Sequence, residues 1–246
     1  MIKYSKYLIY ITIFLCSIGC KKNNYDSFTQ NTNSYFPIAV GYWQTYQVSE
    51  TIWDDFNNSI ITKSYQTKEL IESIVINPNG DTLYRLECYK RNNENNVWQL
   101  TDVHFIRKSF HCIERHEENL TFCKMIYPLQ NNSSWNEYLK IDSALFYHTH
   151  YPNTNIINAN VKKTDAIVQE FNTTKTINNQ TFNNCINILL HEFSTHISED
   201  TEREYYAKDI GLIYQYINHT EKKAVGGQFQ IYRGFIREVQ IIDYQR

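Results

Sequence analysis

Short runs of alternating hydrophobic and polar residues occupy most of the chain beyond residue 35, and this period of two predicts β-strands. One face of the run Thr82–Arg91 carries Tyr84 and Leu86, which are apolar. The other face carries the charged residues Arg85 and Glu87. No stretch repeats apolar residues at the three- and four-residue spacing of a helix. The chain is therefore predicted to be mainly β, with a single antiparallel, strongly curved sheet or a partly open barrel or sandwich, and with short helical turns.

Turn-forming residues separate the predicted strands. Asn77–Asp81 places Pro and Gly where a β-turn needs a fixed φ and a positive φ. Gly211 is expected at a bulge or tight corner, and Glu221–Gly227 is expected to be a turn. Connections of the Greek-key or meander type follow from this spacing. The predicted strand segments are Gly41–Ser49, Ile60–Ile76, Thr82–Arg91, Val97–Arg107, Phe110–Glu114, Leu120–Tyr127, Val161–Phe171, Cys185–Ser194, Glu202–Ala207, Leu212–Asn218 and Phe229–Asp243.

The first twenty residues have the pattern of an export signal. Lys3 and Lys6 precede an apolar run, Tyr7–Ile18, of twelve residues. At ~1.5 Å per helical residue this run is far shorter than the ~30 Å hydrocarbon core of a bilayer, so it predicts a signal peptide and not a membrane span. Gly19 and Cys20 follow directly and resemble the lipobox of bacterial lipoproteins, although Ser17 departs from the usual pattern. Ordinary secretion with cleavage near Gly19 is the alternative.

The lipobox resemblance implies a domain plan and a location. Residues 1–19 are expected to be removed as a lipoprotein signal peptide, and Cys20 is expected to carry the lipid that anchors the chain to the membrane. Residues 20–34 are polar and are predicted to be a flexible tether, and residues 35–246 are predicted to be a single β domain. No Asp follows Cys20, which by analogy with bacterial sorting signals favours the outer membrane, facing the periplasm.

Charge and composition narrow the range of partners. Without residues 1–19, 22 basic and 26 acidic side chains remain, a net charge of −4, and no basic block stands out. Binding to nucleic acid is therefore not expected. Twenty Tyr, thirteen Phe and four Trp are many for this length. These aromatic side chains either line a concave pocket or fill the core.

Four cysteines remain beyond the lipidation site: Cys88, Cys112, Cys123 and Cys185. An even number of cysteines in an oxidising compartment suggests disulfides. Taking the middle of the hairpin turn near Glu117, Cys112 and Cys123 lie opposite each other on neighbouring strands, at a separation near that of a disulfide. A Cys112–Cys123 disulfide is therefore predicted, which leaves the other two to pair or stay free.

No group of residues in the sequence has the spacing of a known catalytic or metal site. His191 and His196 are five residues apart, whereas the zincin helix requires four. His148 and His150 share a face if extended, but they lack an evident third ligand. We therefore expect no catalytic residue, no metal and no cofactor.

Two pairs of adjacent carboxylates have the residue types of a hydrolytic pair. Asp54–Asp55 and Glu117–Glu118 both fall in predicted turns, and neighbouring strand residues face apart. Both pairs are therefore expected to be solvated turn charges.

Several longer motifs together resemble a known group of proteins. The most specific is Glu204-Tyr205-Tyr206-Ala207, which leads into Ile210-Gly211-Leu212-Ile213. With Tyr35-Phe36-Pro37 and Gly41-Tyr42-Trp43, it resembles the uncharacterised β-rich lipoproteins of Bacteroidota over nearly the whole mature chain. This group has no established activity, so the resemblance implies a fold and a location but no site residue.

Three functions are therefore compatible with the sequence. The first is a non-enzymatic, lipid-anchored envelope protein with a structural role or one in binding another envelope protein. The second is a carrier or binder of a small apolar or glycan ligand. The third is a hydrolase. A sheet filled by side chains favours the first, a deep cavity the second, and a cleft of converging carboxylates the third.

Overall fold

Twelve β-strands form one antiparallel sheet in the computed structural model, which describes residues 35–138, 140 and 165–245. These residues contain no α-helix, and accordingly no helix among them has the length and apolarity needed to cross a membrane. The mainly β, antiparallel prediction is confirmed, and the predicted short helical turns do not form α-helix in these residues. The strands are β1 (Trp43–Asp54), β2 (Ser59–Ile76), β3 (Thr82–Arg91), β4 (Gln99–Lys108), β5 (Cys112–Glu117), β6 (Leu120–Ile126), β7 (Ser134–Trp135), β8 (Ala166–Ile177), β9 (Gln180–Ser194), β10 (Ser198–Ala207), β11 (Gly211–Val225) and β12 (Gln228–Tyr244).

The strands follow a meander that almost closes into a barrel. Consecutive strands pair throughout, except between β6 and β7, and the first strand pairs with the last. The gap between the edge strands is bridged by the residues around β7. The backbone N–H of Cys123 on β6 donates to the carbonyl of Glu137 at 3.0 Å, and the Trp135 indole donates to the carbonyl of Cys123 at 2.7 Å. Edge β6 therefore meets the chain that continues from edge β7.

Several strands are longer than predicted because the hairpin turns are tighter. Asn178 and Asn179 both have positive φ (49° and 65°), as do Gly226 and Gly227 (58° and 81°). Positive φ at both central residues gives a two-residue turn whose twist matches that of the strands. The segment 221–227, expected to be a turn, is therefore strand as far as Val225, and the segment between Phe171 and Cys185 is a hairpin.

Gly211 lies at a close approach, as expected for a corner. Its φ is +93°, and a Cβ there would lie 3.0 Å from Oε1 of Gln44 and 3.2 Å from Cδ of Pro37. The register of β10 against β11 shifts between Tyr205 and Tyr206, next to this glycine. Tyr206, just past this shift, is buried and lines the barrel interior, where the polar groups described below also lie.

Candidate ligand-binding site

The interior of the barrel contains a cavity of about 470 Å³. Its wall mixes aromatic rings with charged side chains contributed by strands on opposite sides of the barrel. The aromatic and aliphatic wall includes Phe36, Tyr42, Tyr46, Val48, Leu86, Ile106, Phe122, Tyr206 and Leu212. The charged wall consists of Glu69, Arg115, Glu117, Lys124, Glu137, Glu202, Glu204 and Arg237. Apolar side chains therefore fill only part of the barrel interior.

Lys124 is the centre of a buried ion cluster. Its Nζ lies 2.6 Å from Oε1 of Glu137 and 3.1 Å from Oε1 of Glu204. The Tyr206 hydroxyl donates to the second oxygen of Glu204 at 2.7 Å. Burial opposes the charge on Lys124, but the carboxylates of Glu137 and Glu204 together raise the pKa of Lys124 well above its usual value. Lys124 therefore stays protonated and holds the two glutamates together.

Glu202 adds a third carboxylate to this cluster. The Gln215 side chain donates to Oε1 of Glu202 at 3.3 Å and to Oε1 of Glu204 at 3.0 Å. Burial, followed by repulsion from the Glu137 carboxylate, raises the pKa of Glu202 to about 8. Burial likewise raises the pKa of Glu137, against the pull of Lys124. One lysine thus faces three glutamates, and the surplus negative charge is relieved by protonation at neutral pH.

A second ion cluster is built around Arg115 on β5. The guanidinium lies 2.8 Å from Glu69 and 2.7 Å from Glu117, and it also contacts Nδ1 of His104 at 2.9 Å. Burial alone would lower the pKa of Arg115, but Glu69 and Glu117 raise it well above its usual value. The positive charge of Arg115 is therefore balanced by the carboxylates of Glu69 and Glu117 in the cavity wall.

A carboxylate between two histidines lies beside the glutamates. Asp200 on β10 accepts from His191 on β9 at 3.0 Å and is also in contact with His219 on β11. Burial raises the pKa of Asp200, but hydrogen bonds from these two histidines outweigh it and lower that pKa below its usual value. His219 lines the cavity and links this group to the ligand space.

Two buried oxygen atoms at the cavity have no hydrogen-bond partner among the described residues. They are the hydroxyl of Tyr46, a residue 2% exposed, and Oε2 of Glu137, a residue 3% exposed. A buried polar group without a partner costs about 1–3 kcal/mol, so such groups are uncommon in folded proteins. Tyr46 and Glu137 line the same cavity.

The predicted cysteine pair lies in a different register from the one expected. Cys112 faces Ile126 and Cys123 faces Glu114, because the turn is the two-residue Glu118–Asn119, with Glu118 at φ 50°, and a bulge follows Ile113. The four cysteines of the described part are thiols. The Cys123 thiol hydrogen-bonds the sulfur of Cys112 and, with Ser109, lowers the pKa of Cys112 to about 6 against the effect of burial. The two sulfurs are thus close, and the disulfide between them stays a prediction.

Other residues singled out in the sequence have separate places. Cys20 and the pair His148/His150 lie outside the described residues. His191 binds Asp200, whereas His196 lies in the β9–β10 turn against the ring of Phe229. Within the described ranges, no group of three or more His, Cys, Asp or Glu side chains is arranged to hold a metal ion.

The two adjacent carboxylate pairs behave differently from each other. Asp54 hydrogen-bonds Asn57 and Asp55 forms an ion pair with Lys223 at 3.2 Å, both near the tip of the β1–β2 hairpin. Glu117, by contrast, lines the cavity and binds Arg115. The expectation that Glu117 is a solvated turn charge is therefore wrong, because the tighter turn includes it in β5.

Lys124, Glu137 and Glu202 were not identified from the sequence. The alternation of Glu202, Glu204 and Tyr206 along one strand was a usable signal, because it places three polar side chains on one face. Lys124 and Glu137 gave no such signal, since they meet Glu204 only when the barrel closes.

No protein-family model and no curated protein matches the chain. Two solved structures resemble it over 86% of its length and 98% of theirs. One is a "putative lipoprotein" from Parabacteroides distasonis, at 11% identity and a TM-score of 0.34. The other is a "putative exported protein with YmcC-like fold" from Bacteroides fragilis, at 10% identity and a TM-score of 0.34. At this level of similarity, neither a fold nor a function passes from those proteins to this chain.

Proposed function

We propose that this protein is a lipid-anchored protein of the bacterial envelope that binds a small polar ligand inside its barrel without transforming it. The anchor is the lipidated Cys20, which the lipobox-like leader supports. The outer membrane, facing the periplasm, is the location that fits the residues after Cys20.

The ligand-binding role rests on the cavity, whose wall is charged and includes polar atoms without hydrogen-bond partners among the described residues. Its volume of about 470 Å³ falls in the ~300–1,000 Å³ range of small-molecule sites. The Tyr46 hydroxyl and Oε2 of Glu137 are buried there without partners among the described residues. A polar ligand that hydrogen-bonds both atoms would remove their desolvation cost, and that gain contributes to affinity.

The same observation favours the binding role over a purely structural one. A barrel that serves only as a scaffold is expected to be packed with apolar side chains, because each buried charge costs free energy unless it is paired. Here the interior holds several ion clusters around open space. Polar groups that converge on a cavity favour the binding of a ligand. They also favour a polar ligand over an apolar one, although the aromatic content of the sequence alone is compatible with an apolar ligand.

Hydrolysis is a second candidate, favoured by the convergence of Glu137, Glu202 and Glu204. A carboxyl group whose pKa lies near 8, such as that of Glu202, is suited to donate a proton at neutral pH. Lys124 and Gln215, however, already hold oxygens of these glutamates. This arrangement fits fixed binding groups better than a free acid and nucleophile. Cleavage of chromogenic glycosides by the wild type, abolished in Glu202→Gln, would support hydrolysis.

The binding role is tested on the full-length, lipidated chain purified in mild detergent from the cells that make it. The protein is denatured, and the released small molecules are analysed by mass spectrometry. We expect one molecule enriched to about one per chain with the wild type and depleted with Tyr46→Phe, which removes only the unpartnered hydroxyl. Tyr232→Phe, whose hydroxyl bonds Glu221 outside the cavity wall, is the matched control. Absence of any enriched molecule from the wild type contradicts the proposal.

A further inference from the structure

The charge of the cavity wall is unbalanced. Five carboxylates line it (Glu69, Glu117, Glu137, Glu202 and Glu204), against three cationic side chains (Arg115, Lys124 and Arg237). Each of these cations already contacts a carboxylate. Arg115 binds two of those in the wall, Lys124 binds another two, and Arg237 binds Glu50 at 2.9 Å. The wall therefore offers surplus acceptors and no uncommitted positive charge.

The surplus is concentrated where two carboxylates still have bonding capacity. Oε2 of Glu137 has no hydrogen-bond partner among the described residues, although the residue is 97% buried. Glu202 has one described bond to a side chain, from the neutral amide of Gln215 to Oε1. The Tyr46 hydroxyl, also buried and unpartnered in the described part of the chain, faces the same cavity and supplies a group that can donate or accept.

We propose that the ligand is a small organic cation, whose ammonium group is bound by Glu202 and Glu137 and whose remaining polar group reaches the hydroxyl of Tyr46. This inference rests on the proposed ligand-binding function and adds the chemical class. The aromatic rings beside the site, among them Phe122 and Tyr206, favour a cation as well, because a ring face attracts positive charge.

An anion fits this wall poorly. It would meet five carboxylates and only cations that are already paired, and a buried like-charge contact is strongly unfavourable. A neutral polar molecule would satisfy the two unpartnered atoms, but it would leave Glu202 protonated and would form no ion pair with the glutamates. A metal ion is less suited than an organic cation, since in the described part of the chain the acidic and histidine side chains do not converge with ligand geometry.

Binding of a cation is expected to be linked to proton release. The groups that face Glu202 are Lys124 on β6, Glu137 after β7, His191 on β9, Asp200 and Glu204 on β10, and Gln215 and His219 on β11. With these neighbours the pKa of Glu202 is about 8, so Glu202 carries a proton at neutral pH. An arriving ammonium displaces that proton to solvent and takes its place.

The test compares three probes that share a phenol ring and differ in charge. Tyramine is a cation, tyrosol is neutral, and 4-hydroxyphenylacetate is an anion. Each is titrated into the full-length chain in detergent, after removal of any co-purified molecule, and its affinity is measured by calorimetry at pH 7. We expect tyramine to bind at least about tenfold more tightly than tyrosol, because a hydrogen bond to a charged group contributes that much, and the anion to bind most weakly.

Two variants and a pH series localise the effect. Glu202→Gln keeps the shape of the side chain and should reduce the preference for tyramine about tenfold. Glu170→Gln, on the exposed surface of β8, should leave it unchanged. The affinity of the wild type for tyramine should rise between pH 6 and pH 8, by up to about tenfold per unit, because binding releases a proton from Glu202. The affinity for tyrosol should stay nearly constant.

The outcomes separate this inference from the function on which it rests. Equal affinity for tyramine and tyrosol, or tighter binding of the anion, overturns the cation assignment while ligand binding in the cavity stands. An unchanged preference in Glu202→Gln also overturns it. Failure of all three probes overturns the cation inference. If, in addition, no molecule co-purifies with the wild type, the binding function fails too.

Discussion

Lys124 and Glu137 come from the two ends of the sheet and form an ion pair of 2.6 Å inside the barrel. Lys124 lies on edge strand β6, and Glu137 follows edge strand β7. The backbone contact between Cys123 and Glu137 lies directly beside this pair. Glu137 therefore has two roles. It bridges the two edge strands of the sheet, and its Oε2, which has no hydrogen-bond partner among the described residues, lies at the cavity.

Removal of the Lys124 charge should destabilise the fold. Lys124→Met leaves Glu137 and Glu204 buried beside each other without their cation, and breaking such a pair typically costs about 3–5 kcal/mol. Lys63→Met is the control, because Lys63 is half-exposed and lies 4.0 Å from Glu50, so its loss should cost less than about 1 kcal/mol. Urea unfolding followed by tryptophan fluorescence measures both. Equal midpoints for the two variants would contradict the central role of Lys124.

The free energy of unfolding should fall as pH rises from about 4.5 to 8. Burial, with the Glu137 carboxylate beside it, raises the pKa of Glu202 to about 8, whereas a glutamate in an unfolded chain titrates near ~4.3. Between these values the folded state holds a proton that the unfolded state has lost, so stability is greatest below the lower pKa and is lost through the higher one. Urea unfolding at several pH values should show a shallower decline for Glu202→Gln than for the wild type or Glu170→Gln. Identical slopes in all three proteins would refute this linkage.

Cys112 should be the most reactive thiol of the described cysteines. The hydrogen bond from Cys123 lowers the pKa of Cys112 to about 6, while burial raises the pKa of Cys88 to about 12. In the reduced protein at pH 7, iodoacetamide should therefore label Cys112 first, since the thiolate is the nucleophile. The control is Cys185, which is fully buried and should react only after unfolding. Peptide mass mapping over time follows the order.

The same pair should form a disulfide when the protein matures in an oxidising compartment. Mass mapping without reduction, on protein from the envelope, should find Cys112 linked to Cys123. Free thiols at both positions in that preparation would show that the pair stays reduced.

The lipid anchor should depend on Cys20 alone. Cys20→Ala removes the acylation site, so the mature chain should move from the membrane fraction to the soluble fraction, because acyl chains supply the affinity for the bilayer. Cys112→Ala should stay with the membrane. Retention of Cys20→Ala in washed membranes would argue against lipidation as the anchor.

The sequence predicted the type of structure better than the site. Alternation in runs such as Thr82–Arg91 fixed the strands, because a half-buried sheet forces a period of two. The ends of β8, β9 and β11 were missed, since Asn178–Asn179 and Gly226–Gly227 close two-residue turns between polar strand ends that do not alternate. At the end of β11 the strand is exposed, so burial leaves no alternation there, and in the β8–β9 hairpin Ile177 and Phe182 are the only buried apolar residues between Ala166–Val168 and Cys185.

The site itself depends on contacts between distant parts of the chain. The sequence alone predicts that Glu202 and Glu204 lie on the same face of one strand. Lys124 meets Glu204 across 80 residues of sequence, and this contact exists only because the first strand pairs with the last and β6 meets Glu137. No local pattern specifies that closure, and so the charged cavity could not be inferred from the chain alone.

The most direct test of the account is an experimental structure of the full-length protein isolated from its own cells. The account predicts non-protein density for an organic molecule in the barrel, within hydrogen-bonding distance of the Tyr46 hydroxyl and Oε2 of Glu137. A cavity that contains only ordered water or is filled by the protein's own side chains would contradict it.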